Sequence, residues 1–277
     1  HQQLFPRVVS AMDIGNRTPV VWYLPEGERN EASLELVNQF ITHATEQGHI
    51  AQLEQENFGR WEHASRVGSL TFQRKMREDL PEWQPLLEQV AAEYQMDWRL
   101  LAAMAYQESH WNPNARSHTG VRGMMMLTRA TASELGVKDR TDPLQSLRGG
   151  ARFFKSLLRR LPSDIEEPDR TFLALAAYNI GMGHLEDARI MTQRTGGDPH
   201  LWPDVRAHLP KLQNPNHFPL TKFGFAEGEQ AVTYVDNIRH YEGLLSFQTL
   251  PEHRISPPIQ VDTLFPVHLR RAELPTL

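Results

Sequence analysis

Apolar residues along the chain divide it into a short mixed segment, a long helical segment and a proline-rich end. Residues 1–63 predict two short strands, RVVSAMDI and TPVVWYLP, and then a helix that begins at Asn30 or Ser33 and ends at Gly48. From about residue 70 to 248, apolar residues recur at helical spacing in short runs separated by Gly, Pro and Asn turns. Such runs are typical of a compact globular α domain.

We therefore expect a mainly α fold with a small α/β segment at the N-terminal side. Segment 1–63 is predicted to be incomplete as a domain, 64–79 to be a linker, 80–250 to form the main helical domain, and 251–277 to be an extended tail rich in proline. The chain begins at His1 with no signal-peptide pattern near it, which indicates a processed or trimmed chain.

Composition narrows the classes of function. Hydrophobic residues make up 40% of the 277 positions, which is enough to build a core. The net charge is −5 with no long basic block, so a nucleic-acid partner is not expected. Cysteine is absent, which excludes disulfides, zinc–thiolate sites and thiol nucleophiles. The sequence contains no run of about 18 apolar residues, so it predicts no membrane-spanning helix.

One acidic residue lies on the inward face of a predicted helix. In DWRLLAAMAYQES, Leu101, Met104, Ala105 and Glu108 are spaced i, i+3, i+4 and i+7, so they share a face. Burial and the partial negative charge of a helix C-terminus both favour the neutral acid, so we expect a raised pKa for Glu108. A carboxyl that stays protonated near neutral pH suits a general acid.

Alternatives to a catalytic acid remain open at this stage. A glutamate at a helix end is often solvated or paired with an arginine, and Arg116 and Arg122 follow closely. A typical glycosidase needs a second carboxylate, but Asp139 and Asp142 lie in a predicted turn, and the acidic residues of 164–169 lie in a predicted polar loop. The 13 histidines show no metal-binding spacing such as H-E-x-x-H, so neither a metal nor a cofactor is expected.

Three motifs carry a family resemblance, in order over roughly residues 80–248. QESHWNPNARSHTGVRGMMML, ALAAYNIG and AVTYVDNIRHY resemble the signatures of lytic transglycosylases with a goose-lysozyme-like (SLT) domain. Residues 1–63 are similar to the closing part of a family 3 solute-binding domain, which precedes the catalytic domain in one type of this family. The resemblance implies a lysozyme-like helical fold and a monomer acting in the periplasm of Gram-negative bacteria, peripherally associated with the outer membrane.

The resemblance also implies roles for individual residues. Glu108 matches the sole catalytic acid and base, and Ser117 matches a serine near the scissile sugars. Ser109 either contributes to the site or only caps the helix end. Tyr178 and Asn179 match a pair in which the tyrosine hydroxyl lies near the glutamate and the asparagine contacts sugar. By pattern alone, a tyrosine such as Tyr178 is more often a core aromatic with a satisfied hydroxyl.

Two departures from the family pattern concern substrate contacts. Met126 stands where many relatives have a glutamine that reaches the substrate, and a thioether cannot donate a hydrogen bond. Gln230 stands where many have glutamate. Met125 and Met126 are either substrate contacts or core filler, and Tyr234 is expected to line the cleft. Gly120 and Gly123 either admit the saccharide or only make tight turns.

The implied reaction is cleavage of peptidoglycan glycan strands and muropeptides between N-acetylmuramic acid and N-acetylglucosamine, giving 1,6-anhydro ends. Two alternatives stay open. One is a lysozyme-type hydrolase on the same fold. The other is a wall-binding or sensing protein with a degenerate catalytic domain, which the departures at Met126 and Gln230 suggest.

Overall fold

The computed structural model describes residues 28–46 and 66–248, and regular structure there is helical. The α-helices are α1 Glu28–Glu46, α2 Arg66–Glu78, α3 Leu80–Glu93, α4 Trp98–Ser109, α5 Arg129–Glu134, α6 Pro143–Arg160, α7 Asp169–Ile180, α8 Met182–Arg194, α9 Trp202–Arg206 and α10 Gly228–Gln248. Short 3₁₀ helices span Leu209–Gln213 and Phe218–Leu220. The prediction of a mainly α fold is confirmed.

The N-terminal helix α1 belongs to a different compact unit from the helices between residues 66 and 248. Its bounds, Glu28–Glu46, agree with the predicted helix to within a few residues. The two predicted strands and the proline-rich tail lie outside the described residues. Within the described ranges, no helix is both long and apolar enough to span a membrane.

The centre of the larger unit is α4. Its residues from Leu100 to Tyr106 are all buried, so this helix is enclosed on every side rather than along the single stripe that the periodicity predicts. Helix α7 is similar, since its side chains from Phe172 to Ala177 are also buried. The long helix α10 packs against both, which brings the ends of three helices together.

The predicted linker over 64–79 is corrected by the structure. Residues 66–78 form α2, which packs against α3 and α10. Phe72 is fully buried and contacts Tyr106 edge to ring at 4.5 Å between centroids, and Met76 is also in the core. The polar composition of α2 concealed this role, because only a few of its side chains face inward.

Helix boundaries follow local chemistry. Asp97 caps α4, accepting a 2.8 Å hydrogen bond from the Arg99 amide. Helix α6 ends at Arg160, and Leu161, which precedes Pro162, is extended as that position requires. Helix α9 is short because it stops at Arg206, and a 3₁₀ helix containing Pro210 follows.

Candidate active site

The carboxyl group of Glu108 lies where α4 meets α10. Glu108 is in the last turn of α4 and partly buried, and Tyr234 on α10 is 4% exposed. The Tyr234 hydroxyl donates a 2.6 Å hydrogen bond to Oε1 of Glu108. Neither Arg116 nor Arg122 pairs with Glu108, and no salt bridge to Glu108 exists among the described residues. The ion-pair alternative is therefore not what this structure shows.

The environment of Glu108 favours its neutral form. Burial raises the pKa of Glu108 from 4.5 to about 7, and the hydrogen bond from Tyr234 opposes that rise with a smaller effect. The expected direction of the shift is thus confirmed, with burial as its main cause. A group with this pKa is protonated in about half of the molecules at neutral pH, so it can both donate and accept a proton.

Tyr178 lies beside Tyr234, but its hydroxyl has a different partner from the one expected. The two rings are nearly parallel, with centroids 6.3 Å apart. The Tyr178 hydroxyl donates to the Met125 carbonyl at 3.3 Å, whereas Tyr234 bonds Glu108 directly. Burial, and secondarily the charge of Glu108, raise the pKa of both tyrosines well above 10, so both stay neutral donors. Tyr234 was expected only to line the cleft, and the motifs did not identify it as the direct hydrogen-bond partner of Glu108.

Ser109 joins the end of α4 to the loop that follows it. Its hydroxyl lies 2.8 Å from the Met124 carbonyl and 3.1 Å from the Ala105 carbonyl, and it accepts from the Asn112 amide at 3.2 Å. These contacts occupy the hydroxyl with backbone groups. The capping alternative for Ser109 is therefore the one observed, and a direct substrate contact is not supported.

A buried tryptophan fixes the chain just after Glu108. His110 and Trp111 both have positive φ, at 53° and 60°, so the backbone reverses directly after α4. Trp111 is 2% exposed, and its indole N–H donates to the Ala102 carbonyl of α4 at 2.8 Å. The end of α4 is thereby tied to the middle of the same helix, which holds Glu108 in the core.

The glycine loop, residues 112–128, depends on a close backbone approach at Gly123. Gly123 has φ +86°, and a Cβ there would lie 1.7 Å from the Arg140 carbonyl oxygen. Arg140 also donates to the carbonyls of Gly120 at 3.0 Å and Leu127 at 2.8 Å. Gly120 has φ +83°, but a Cβ there would meet no atom within 4 Å. Gly123 thus serves packing, while Gly120 serves a turn.

The two methionines predicted to contact substrate differ in position. Met125 is fully buried and packs on Gly150, while its amide donates to the Ser146 hydroxyl at 3.1 Å. The prediction of a substrate contact by the Met125 side chain is therefore corrected, because that side chain belongs to the core. Met126 is half-buried with φ 45°, and it follows the Met125 carbonyl that Tyr178 bonds.

The remaining predicted residues differ in burial and in their local contacts. The Ser117 hydroxyl lies 2.7 Å from that of Thr119 and accepts from the Val121 amide at 3.3 Å, so it shapes the glycine loop. Asn179 follows Tyr178 at the end of α7, and its Oδ1 is buried without a hydrogen-bond partner among the described residues. Gln230 is exposed in the first turn of α10, one turn before Tyr234.

Among residues 28–46 and 66–248, no second carboxylate contributes to the pKa of Glu108. Three buried carboxylates in residues 66–248 bind groups elsewhere: Asp169 accepts from the Trp202 amide, Asp187 accepts from the amides of the loop at 222–223, and Asp236 pairs with Arg206 at 2.7 Å. In the part of the chain that the structure describes, no cluster of three or more His, Asp or Glu side chains could hold a metal ion. The chemistry available at this place is therefore that of one acid and two tyrosine hydroxyls.

The known proteins that this chain resembles belong to the same family that the three motifs indicate. Residues 85–200, which include Glu108 and Tyr178, match the family described as Transglycosylase SLT domain. Tyr234 lies beyond the matched range, although it is the direct partner of the glutamate.

Several curated proteins named membrane-bound lytic murein transglycosylase F are similar over most of this chain. The one from Alteromonas mediterranea is 47% identical over 237 residues, covering 86% of this chain and 50% of that protein. Those from Saccharophagus degradans (43% over 256 residues, 92% and 51%) and Yersinia enterocolitica (44% over 241 residues, 87% and 49%) are comparable. The chain spans about half the length of these relatives, and the family resemblance is confirmed.

Proposed function

Because this chain belongs to the proteins with a transglycosylase SLT domain, we propose that it is a peptidoglycan lytic transglycosylase. Its substrate would be the β-1,4 bond between N-acetylmuramic acid and N-acetylglucosamine in glycan strands and muropeptides. The observation that carries this proposal is Glu108, a half-buried acid with a pKa of about 7 that accepts a hydrogen bond from Tyr234.

In the first step, protonated Glu108 gives its proton to the glycosidic oxygen as the bond from that oxygen to C1 breaks. The 2-acetamido group of the muramic residue stabilises the positive charge that develops at C1. Transfer from a side chain with a pKa near the working pH is efficient, since neither the acid nor its conjugate base is strongly favoured. The hydrogen bond from Tyr234 to Oε1 then stabilises the carboxylate that forms.

In the second step, ionised Glu108 takes the proton from the C6 hydroxyl of the muramic residue, and the C6 oxygen bonds to C1. Glu108 is protonated again, and water is neither consumed nor released. This cycle needs one carboxyl group, which fits a site where burial and Tyr234 alone set the pKa of the glutamate. The two-carboxylate design of other glycosidases has no support here.

The products of digested sacculi test this proposal against its alternatives. We expect mass spectrometry to show soluble muropeptides with 1,6-anhydro ends, lighter by one water than hydrolysis products. Reducing muramic ends would indicate the lysozyme-type hydrolase instead. Met126 and Gln230 motivate the third alternative, a wall-binding protein without turnover. That reading requires wild-type protein and Glu108→Gln to bind sacculi equally and to release negligible product.

The setting of the reaction is part of the same proposal. Relatives named as membrane-bound support a periplasmic location with peripheral attachment to the outer membrane. We expect the protein to act as a monomer, with glycan strands as its partner. Fractionation of cells that produce the full-length protein, with and without a salt wash of the membranes, tests the location.

A further inference from the structure

The second 3₁₀ helix and the residues that follow it, before α10, present apolar side chains to solvent. We name residues 218–225, with the sequence FPLTKFGF, the aromatic loop. In it Leu220 is 75% exposed, Phe223 51% and Phe225 55%. Several large apolar side chains exposed in one short segment are typical of an interaction surface.

The aromatic loop is held in place by a buried acid. Asp187 on α8 is 3% exposed, and its two carboxylate oxygens accept the amide N–H groups of Lys222 at 3.0 Å and Phe223 at 2.8 Å. Hydrogen bonds to an ionised acceptor are about twice as strong as neutral ones. The Thr221 hydroxyl also accepts from the Gly224 amide at 3.1 Å. The exposure of Phe223 is thus a fixed feature of the fold.

The aromatic loop contacts or adjoins helices that follow directly on, or carry, residues of the candidate active site. Phe223 packs on Gly183, where a Cβ would lie 2.8 Å from its ring, and its centroid is 6.1 Å from that of His184. Gly183 and His184 begin α8, directly after the end of α7 that carries Tyr178. In the other direction, the aromatic loop leads within a few residues to the first turn of α10, which carries Gln230.

We propose that Phe223 contacts a sugar ring of the glycan strand outside the pair that reacts. This inference rests on the proposed function. Pyranose rings present a face of C–H bonds, which suits the electron-rich face of a phenyl ring. The Lys222 ammonium lies 5.3 Å from the Phe223 centroid, so it places a positive charge near the carboxylates of peptide-bearing strands.

A sugar position at the aromatic loop makes the enzyme prefer long strands. A polymer reaches both Glu108 and Phe223, whereas a tetrasaccharide bound across the reacting bond lacks the outer sugars. We therefore expect Phe223→Ala to lower the ratio of kcat/KM for soluble glycan strands to that for a tetrasaccharide by about tenfold, mainly through the KM for strands. Phe223→Trp should keep the ratio near the wild-type value, whereas Phe223→Leu should lower it as Phe223→Ala does.

Leu220→Ala is the matched control. Leu220 is more exposed than Phe223, but it has no aromatic face. It lines a small cavity with Ile190 and Met191, which lie about two turns further along α8 than Gly183. We expect Leu220→Ala to leave the ratio unchanged. Thermal unfolding of every variant checks that Asp187 still holds the loop.

A membrane surface is the competing partner. If the aromatic loop inserts into lipid, wild-type protein sediments with vesicles of phosphatidylethanolamine and phosphatidylglycerol, Leu220→Ala weakens this binding at least as much as Phe223→Ala, and the substrate ratio does not move. That result overturns the inference, as does an equal loss on both substrates. Inactive wild-type protein would refute the proposed function itself, whereas an active wild type with an unchanged ratio in Phe223→Ala refutes only the sugar position.

Discussion

The hydroxyl of Tyr234 donates to Oε1 of Glu108 at 2.6 Å, across 126 positions of the sequence. This contact joins the last turn of α4 to α10, and it acts on the pKa of the glutamate in the direction opposite to burial. The pKa of about 7 is therefore a balance between two features that can be changed separately. The first two predictions below use that balance.

Replacing the acid should separate stability from activity. Between about pH 4.5 and 7 the folded protein binds more protons than the unfolded chain at Glu108, so the contribution of this residue to stability falls as pH rises through that window. Glu108→Gln has no carboxyl to ionise at this position, so it removes this pH-dependent loss of stability. We expect the variant to be more stable than wild type above pH 7 by on the order of a few kcal/mol, and equally stable near pH 4. Turnover should fall at least about 100-fold.

Urea unfolding at pH 4, 6 and 8 measures the stability difference. The exposed Glu134→Gln is the matched control, because it removes a carboxyl of the same helix-end type without burial. A Glu108→Gln variant with the same pH dependence as wild type would show that the carboxyl is not desolvated in the folded protein.

The pH dependence of activity should respond to Tyr234. A general acid must be protonated, so kcat/KM should decline above about pH 7. Tyr234→Phe removes the hydrogen bond that lowers the pKa of Glu108, so the decline should move to higher pH. In Tyr178→Phe the lost hydrogen bond is to the Met125 carbonyl, so the midpoint of the decline should stay in place even where the rate changes. Activity that is flat to high pH in wild type contradicts the general-acid role.

Two glycines of the same loop should differ in their tolerance of a methyl group. Gly120→Ala introduces a side chain at positive φ in open space, so we expect a loss of about 1 kcal/mol of unfolding free energy. Gly123→Ala has the same strain and also a clash with the Arg140 carbonyl, so we expect a further loss of at least about 2 kcal/mol. Denaturant titration of the two variants in parallel measures the difference, and equal losses would refute the packing role of Gly123.

Restoring a donor at position 126 should improve substrate binding. Met126 is half-buried, and its thioether cannot donate a hydrogen bond. If this position faces the acetamido group, Met126→Gln should lower KM by about threefold to tenfold, as one added hydrogen bond does. Met125→Gln is the control, because it places an amide in the core and should reduce stability without improving KM. An unchanged KM in Met126→Gln would remove this residue from the binding surface.

Local patterns predicted much of this fold because they report on neighbouring residues. Helix α1 lies within a few residues of its predicted bounds, and the inward position of Glu108 follows from helical spacing. The depth of α4 did not follow, since burial on all sides depends on which helices surround it. The helix α2 was missed for a related reason, because a few inward residues such as Phe72 are enough to dock a polar helix.

The hydrogen-bond partners within the site were harder to predict than the residues that form it. Glu108 and both tyrosines were identified from motifs, yet the motifs do not say which hydroxyl reaches the acid, because that depends on how α7 and α10 approach α4. Likewise, three consecutive methionines give no signal that Met124 and Met125 enter the core while Met126 stays half-buried. The positive φ of Met126 is a property of the folded turn that the sequence does not state.

The hydrogen bond from Trp111 to the Ala102 carbonyl has a consequence for how such an enzyme could be re-engineered. The anchor beside Glu108 joins Trp111, which follows α4, to Ala102 within that helix, so it does not depend on the part of the glycine loop between Asn112 and Arg122. We expect chimeras that keep Trp111, Gly123 and Arg140 and exchange that part of the loop to retain the ionisation behaviour of the parent.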